Sequence, residues 1–263
     1  MSLSIRDATA ADYEVFARLH PALETPDPLL TAAQFAHLML PNVVLACEER
    51  QPIGYAHWQI YGAIAHVSHI VVGADARRRG AGHLLMQELR RRASAGGCTR
   101  WYLNVKAGNA VAIRLYERSG LMIEQRGWAL VGEWVNLRTL EGLASPVSFE
   151  PSAEELARFA RQQTIDPERL AAVRARPGRV FIAMRDSDGI CAFAAFDPDF
   201  PGIYPIAVAR VEHARALFEA LEPQARAPHV NIFVEGNAAL AEALRKAGAK
   251  LSFETLRMGA RLT

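Results

Sequence analysis

The sequence predicts two domains of the α/β (α+β) class built on one repeated plan. Three observations carry this reading. The apolar run Ile70-Val71-Val72 stops at Gly73, a turn rich in arginine follows, and Leu84, Leu85 and Leu89 then recur at helical spacing. That is a strand, a tight loop and a helix. Residues 103–121 read as a second strand, an Asn109 N-cap, a helix, a Gly120 C-cap and the start of another strand. Finally, the second half of the 263-residue chain echoes the first.

The echo has a definite register. Val43 to Glu49 resembles Val180 to Asp186, and Asn109-Ala110-Val111-Ala112 resembles Asn237-Ala238-Ala239-Leu240. The offset falls from 137 (180 − 43) to 128 (237 − 109), so the second copy is nine residues shorter between these landmarks. That interval holds the arginine loop in the first copy. Its counterpart, Ile203 to Phe218, has no glycine pair and no arginine cluster, and Leu244 replaces Tyr116. Gly142, Ser145 and Pro146 interrupt the pattern at the joint. The chain therefore divides into a first domain at 1–143 and a degenerate second domain at 144–263.

In the first copy the pattern predicts a strand at 3–7, helices at 10–19 and 31–39, and a hairpin of 43–48 with 53–60. A long strand at 63–72 comes next, then helix 81–93, strand 100–106, helix 109–119 and strand 121–126. On a regular strand, alternation puts His66, Ser68, Ile70 and Val72 on one face and His69 on the other. That separation, and the lack of a cysteine pair nearby, argue against a metal at these histidines.

The loop between strand and helix suits an anion. Small residues let a ligand approach the backbone, free N–H groups of a first helical turn point outward, and arginines add charge-assisted hydrogen bonds. Arg77-x-x-Gly80-x-Gly82 also resembles the pyrophosphate loop of the GNAT superfamily of acyl-CoA-dependent N-acyltransferases. Asn109-x-x-Ala112-x-x-Leu115-Tyr116-x-x-x-Gly120 resembles that family's second motif, with Leu121 where the family usually has Phe. The likeness covers roughly residues 3–132, including the opening Ile5 to Asp12.

This resemblance implies a mixed, mostly antiparallel sheet in each domain, with two central parallel strands splayed apart. It implies acetyl-CoA as acyl donor, held by Ile70, Val71, Val72, Arg77, Arg78, Arg79, Gly80, Ala81, Gly82, His83, Asn109 and Tyr116, and no metal. Backbone N–H groups around Ile70 and Val72 would meet the oxyanion. Tyr116 is the candidate acid for the departing thiolate, since phenol and thiol have ordinary pKa values of about 10 and 8.5. His66 is the candidate base, with an ordered-water chain as the alternative. As N-cap alone, Asn109 already has a structural role.

The expected reaction is acetyl transfer to a primary amine of a small molecule or peptide. Acceptor residues would come from 20–40, where Glu24 and Asp27 offer charge, and from His57, Trp58, Gln59 and Tyr61 of the hairpin. An alternative is a non-catalytic acyl-CoA-binding regulatory protein. A net charge of +2 gives no global field toward nucleic acid or an anionic membrane. The three dispersed cysteines fit a reducing cytoplasm, and neither a signal peptide nor a membrane span is expected.

Overall fold

The computed structural model describes residues 2–24, 28–142 and 146–262. The expected joint at 143/144 and the candidate Asp27 lie outside the described residues. The first elements follow the pattern closely: β1 (Leu3–Asp7), α1 (Tyr13–Leu19), α2 (Ala32–Gln34) with one wide turn (Phe35–Met39), β2 (Val43–Glu48), β3 (Gln51–Tyr61) and β4 (Ile64–Val72). After these come α3 (Ala81–Ala95), β5 (Arg100–Lys106) and α4 (Ala110–Arg118). The next strand, β6 (Met122–Glu133), runs well past the expected 121–126 because its apolar residues continue through Trp128 and Leu130.

The remaining elements are α5 (Trp134–Leu137), β7 (Val147–Phe149), α6 (Ala153–Gln162), α7 (Pro167–Arg174), β8 (Val180–Asp186), β9 (Gly189–Asp197), β10 (Gly202–Val208), α8 (Ala214–Leu221), β11 (His229–Glu235), α9 (Ala238–Lys246) and β12 (Lys250–Arg261). No helix among the described residues is long and apolar enough to cross a membrane.

Two compact units result. One comprises residues 1–105, 109–124 and 257–263; the other comprises 106–108 and 125–256. The division is thus not a single cut: β6 changes unit after Glu124 and β12 after Leu256. In the first unit β1, β2, β3 and β4 form an antiparallel meander. Parallel β5 pairs with β4 only over Ile64–Val67 and Arg100–Leu103. The strand beside β5 is the end of β12, and Leu262 N–H donates to the Thr99 carbonyl at 2.8 Å. Phe16, Phe35, Tyr55 and Val71 anchor the core on one face. On its buried side α3 places Ala81, Leu85, Met86, Leu89 and Ala93.

The second unit repeats this plan. β7, β8, β9 and β10 are antiparallel, β11 joins β10 in parallel over Gly202–Ile203 and Asn231–Ile232, and β6 pairs antiparallel with β11. Small details recur too. Gly73 N–H donates to Ile53 O at 2.8 Å, and Ala209 N–H donates to Cys191 O at 2.8 Å. Asn109 Oδ1 caps Ala112 N–H at 3.0 Å, and Asn237 Oδ1 caps Leu240 N–H at 2.9 Å. Part of the second copy's shortening lies in the loop, 209–213 against 73–80, and the rest largely in the helix that follows, since α8 has 8 residues and α3 has 15.

Completion of the first unit by the chain's last residues makes a distant prediction. Met258 is fully buried. Met258→Ala should cost about 2–5 kcal/mol. Hydrogen exchange should show the lost protection in β5 at 100–106; protection lost only in the second unit would refute the assignment.

Candidate active site

The arginine loop leaves β4 through one tight turn (Ala74–Ala76) that buries Ala76. Its arginines then part company. Arg77 Nε donates to the Val72 carbonyl at 3.3 Å, which ties the loop to its own strand. Arg79 pairs with Glu48 at 3.0 Å at the end of β2. Arg78 is exposed, has φ 64°, and has no ionic partner among the described residues. Arg77 likewise has no ionic partner among the described residues, so Arg79 alone of the three is neutralised by a carboxylate there.

Gly80 stands at the helix start with φ 92°, a left-handed conformation that a side chain resists. The first helical bond of this turn is Leu84 N–H to Gly80 O at 3.0 Å, so the N–H groups of Ala81, Gly82 and His83 have no partner within the helix. A Cβ placed on Gly82 would stand 3.0 Å from Leu115 Cδ2 and 4.0 Å from Val72 Cγ2. The end of β4, the start of α3 and the middle of α4 therefore converge at Gly82. His83 is exposed.

Beyond Val67 and Leu103 the recorded pairing of β4 with β5 ends, which leaves Ser68–Val72 and Asn104–Lys106 diverging. Asn104 Oδ1 is buried there with no hydrogen-bond partner. An orphaned buried acceptor costs about 1–3 kcal/mol unless something donates to it. Gly82 keeps α3 packed closely on Leu115 of α4. The opening and the N–H groups left unpaired at the start of α3 together fit an extended, amide-bearing chain ending in a pyrophosphate, as acetyl-CoA has. Tyr116 follows Leu115 on α4; its ring is 8% exposed, and its hydroxyl has no hydrogen-bond partner among the described residues. Burial pushes its pKa up to about 12. The phenol is therefore a hydrogen-bond donor throughout the physiological range, and its transfer to a thiolate is less balanced than the ordinary values suggest.

The face assignment of the histidines needs correction. Trp58 opposes Val67 and His57 opposes His69, so the register slips and Ser68 is an extra residue on β4. A bulge of this kind breaks alternation. His66 and His69 consequently lie on one face, not two, together with His57. His66 stacks on Tyr102 at 4.8 Å between ring centroids, and its Nδ1 is 3.4 Å from Ser68 Oγ.

A cluster that the sequence reading did not assemble sits on this face. The His69 ring lies 5.4 Å from that of His57 and 6.0 Å from that of His20, and Tyr55 Oη is 3.3 Å from His69 Nδ1. His57 is 5% exposed, and neither ring nitrogen has a partner. Burial lowers His57 to about 4; burial, aided by His57 and His20, lowers His69 to about 3. Both rings are neutral at pH 7. The only sequence signal was an unusual density of histidine on two adjacent strands. Of the other acceptor candidates, Trp58 lies on the opposite face under Arg92, while Tyr61 bonds Gln59 at 2.5 Å.

Residues 5–121 match the model of the Acetyltransferase (GNAT) family. No curated protein matches the chain. Among solved structures, one described as a putative acetyltransferase from Pyrococcus horikoshii aligns over 99% of this chain and 90% of its own, with TM-score 0.68 and 16% identity. A GCN5-related N-acetyltransferase from Sphaerobacter thermophilus aligns over 99% and 96%, with TM-score 0.64 and 15% identity. A tandem GNAT protein from the clavulanic acid biosynthesis pathway covers 100% and 99%, with TM-score 0.60 and 14% identity. At these identities the likeness establishes a shared fold.

The depressed histidines set the pH response of stability. Unfolded, each titrates near 6.5; folded, each stays neutral far below that. Below pH 6.5 the unfolded chain binds more protons, so stability falls as pH drops toward 4. His57→Leu removes a ring that makes no hydrogen bond. Relative to the native chain, the variant should gain about 2 kcal/mol between pH 8 and pH 5. Denaturant titrations at both pH values giving the same difference would contradict this.

Proposed function

We propose, from the place of residues 5–121 in the acetyltransferase (GNAT) family, that this acyltransferase moves an acetyl group from acetyl-CoA to a primary amine of a small molecule or peptide. The observation that carries the reading is the divergence of β4 from β5 beside a helix start whose first N–H groups have no partner within the helix. The pyrophosphate is assigned to the N–H groups of Ala81, Gly82 and His83 and to Arg78. Arg77 and Arg79 hold the loop in shape, and Asn109 keeps α4 capped where the donor passes. Asn104 is added to the donor-binding residues, its orphaned oxygen accepting from an amide of the pantetheine arm.

The thioester supplies an activated acyl carbon. Gly73 N–H turns toward Ile53 on β3, so by strand alternation the N–H groups of Ile70 and Val72 turn toward the divergence, where they would stabilise the oxyanion formed when the amine attacks. As C–N forms and C–S breaks, Tyr116 donates a hydrogen bond to the sulfur. With its pKa near 12, the phenol holds its proton until the sulfur is itself desolvated and more basic. The amine proton leaves toward His66 or through water along the histidine face. His57 and His69, neutral and weakly basic, suit relaying and orientation better than retaining a proton.

The second copy, 144–263, is proposed to be degenerate. Residues 209–213 have no glycine, and Leu244, fully buried, occupies the place of Tyr116. The buried free thiols Cys47, Cys98 and Cys191 support placement in a reducing compartment such as the cytoplasm.

Gly80→Val forces a β-branched residue into a left-handed position. Calorimetry should show acetyl-CoA affinity down by more than about tenfold, since the helix start would turn away; normal affinity would remove the loop from the donor site. Tyr116→Phe should lower kcat by roughly 10–1000-fold, with acetyl-CoA affinity little changed. The readout is thiol release across an amine library. An unchanged kcat with chemistry rate-limiting would make Tyr116 a packing residue.

A further inference from the structure

In the second unit three different metal-ligand types converge where the first unit has its arginine loop. The ligand atoms of Asp186, Cys191 and His213 all lie within 4.8 Å of one another. We propose that they form a binding site for one Zn2+ ion, with the fourth coordination position open to solvent on the Asp186 side.

The placement follows from the fold. Asp186 ends β8, opposite Gly189 across the hairpin, as Glu48 ends β2 opposite Gln51. In the first unit that terminal acid takes Arg79 from the loop; in the second it takes His213, whose Nε2 is 3.2 Å from Asp186 Oδ2. Cys191 stands where the β8–β9 register slips between Met184 and Arg185. Such bulges re-aim a side chain. The segment 209–213 carries His213 to the start of α8.

Asp186 and Cys191 are fixed from behind by backbone. Asp188 N–H donates to Asp186 Oδ1 at 2.9 Å, leaving Oδ2 toward the cluster. Ala209 N–H donates to the Cys191 carbonyl at 2.8 Å. Such outer contacts orient metal ligands. His213 Nδ1 accepts from Arg210 N–H at 3.3 Å, so without a cation Nε2 carries the proton toward Asp186, and this contact is one that metal binding must displace. His213 and Cys191 are buried, while the Asp186 side chain is 23% exposed and gives an entry path.

The geometry separates this from a nucleophilic triad. A relay needs the two imidazole nitrogens to face different catalytic partners. Here Nδ1 faces a backbone amide and Nε2 faces the acid, so neither nitrogen is left to activate the thiol in a relay. In a tetrahedral zinc site neighbouring ligand atoms stand about 3.3–3.7 Å apart. The Nε2–Oδ2 distance is already 3.2 Å, and the others need to close by no more than about 1.1–1.5 Å. A mixed sulfur, nitrogen and oxygen set favours Zn2+ over Mg2+ or Ca2+. Binding expels the Cys191 proton to solvent and shifts the imidazole proton from Nε2 to Nδ1. The long contact from Arg210 is given up in exchange for three metal bonds. Without the cation the thiol stays protonated, since burial pushes it up to about 11.

The test uses the full chain stripped with a chelator and titrated with Co2+. The expected result is one equivalent bound, with a thiolate-to-cobalt charge-transfer band in the near ultraviolet that Zn2+ abolishes by displacement. Cys191→Ser should lose the band. Asp186→Asn, a milder change at a half-buried position, should keep the fold by circular dichroism and weaken Co2+ by more than about tenfold. Zn2+ should raise the melting temperature of the native chain and not of Cys191→Ser. A folded native chain without the band, or a band that survives in Cys191→Ser, overturns the site. So does an Asp186→Asn affinity equal to the native one.

Discussion

The parting of β4 from β5 is the constraint on which the first unit's chemistry depends. Parallel strands held by hydrogen bonds would fill one another's backbone groups and leave nothing for a ligand. Here pairing stops at Val67 and Leu103, and the next residue of β4, Ser68, is the extra one in the β3–β4 register. One inserted residue has two effects. It bends β4 away from β5, and it rotates the following side chains so that His66, His57 and His69 share a face. The binding gap and the histidine face are thus two outcomes of one irregularity, and a sequence that regularised β4 would lose both.

The second constraint is how the sheets are completed. In each unit the strand after the parallel pair comes from the far half of the sequence: β12 beside β5, β6 beside β11. Cutting near residue 145 would therefore not release an intact first unit, because residues 257–263 belong to it. Degeneracy of the second copy's loop need not make that copy dispensable. Its half of the sequence supplies the strand segment 257–261 that completes the first unit.

Much of this was legible in the sequence because it is local. Strand and helix periods, the Asn109 and Asn237 caps, and the glycines after the helices are each set by a few neighbouring residues. So is the arginine loop, though its division of labour was not: Arg79 is diverted to Glu48, thirty-one positions earlier, and no local pattern reveals that. The bulge at Ser68 was invisible for a related reason. Alternation in a strand is assumed until a partner strand imposes a slip, and the partner's register is a long-range property. The strand exchange escaped notice because β6 and β12 each span 12 residues and occupy equivalent places in the repeat. Spacing singles out Tyr116 as a candidate, but its raised pKa comes from burial, which spacing does not report.

The two loops also show how a duplicated site diverges under one physical demand. Wherever β2 or β8 ends, its terminal carboxylate is half-buried beside the loop and needs a cationic or hydrogen-bonding partner. In the first copy Arg79 satisfies Glu48, and the loop's glycines are proposed to receive an anion. In the second copy the glycines are gone, the loop is shorter, and no ligand phosphate would be held there. The demand of Asp186 remains, and His213 meets it. Once an imidazole and a carboxylate face each other beside a buried thiol, the polarity of the site has reversed. The first loop gathers donors for an anion, whereas the second gathers acceptors for a cation.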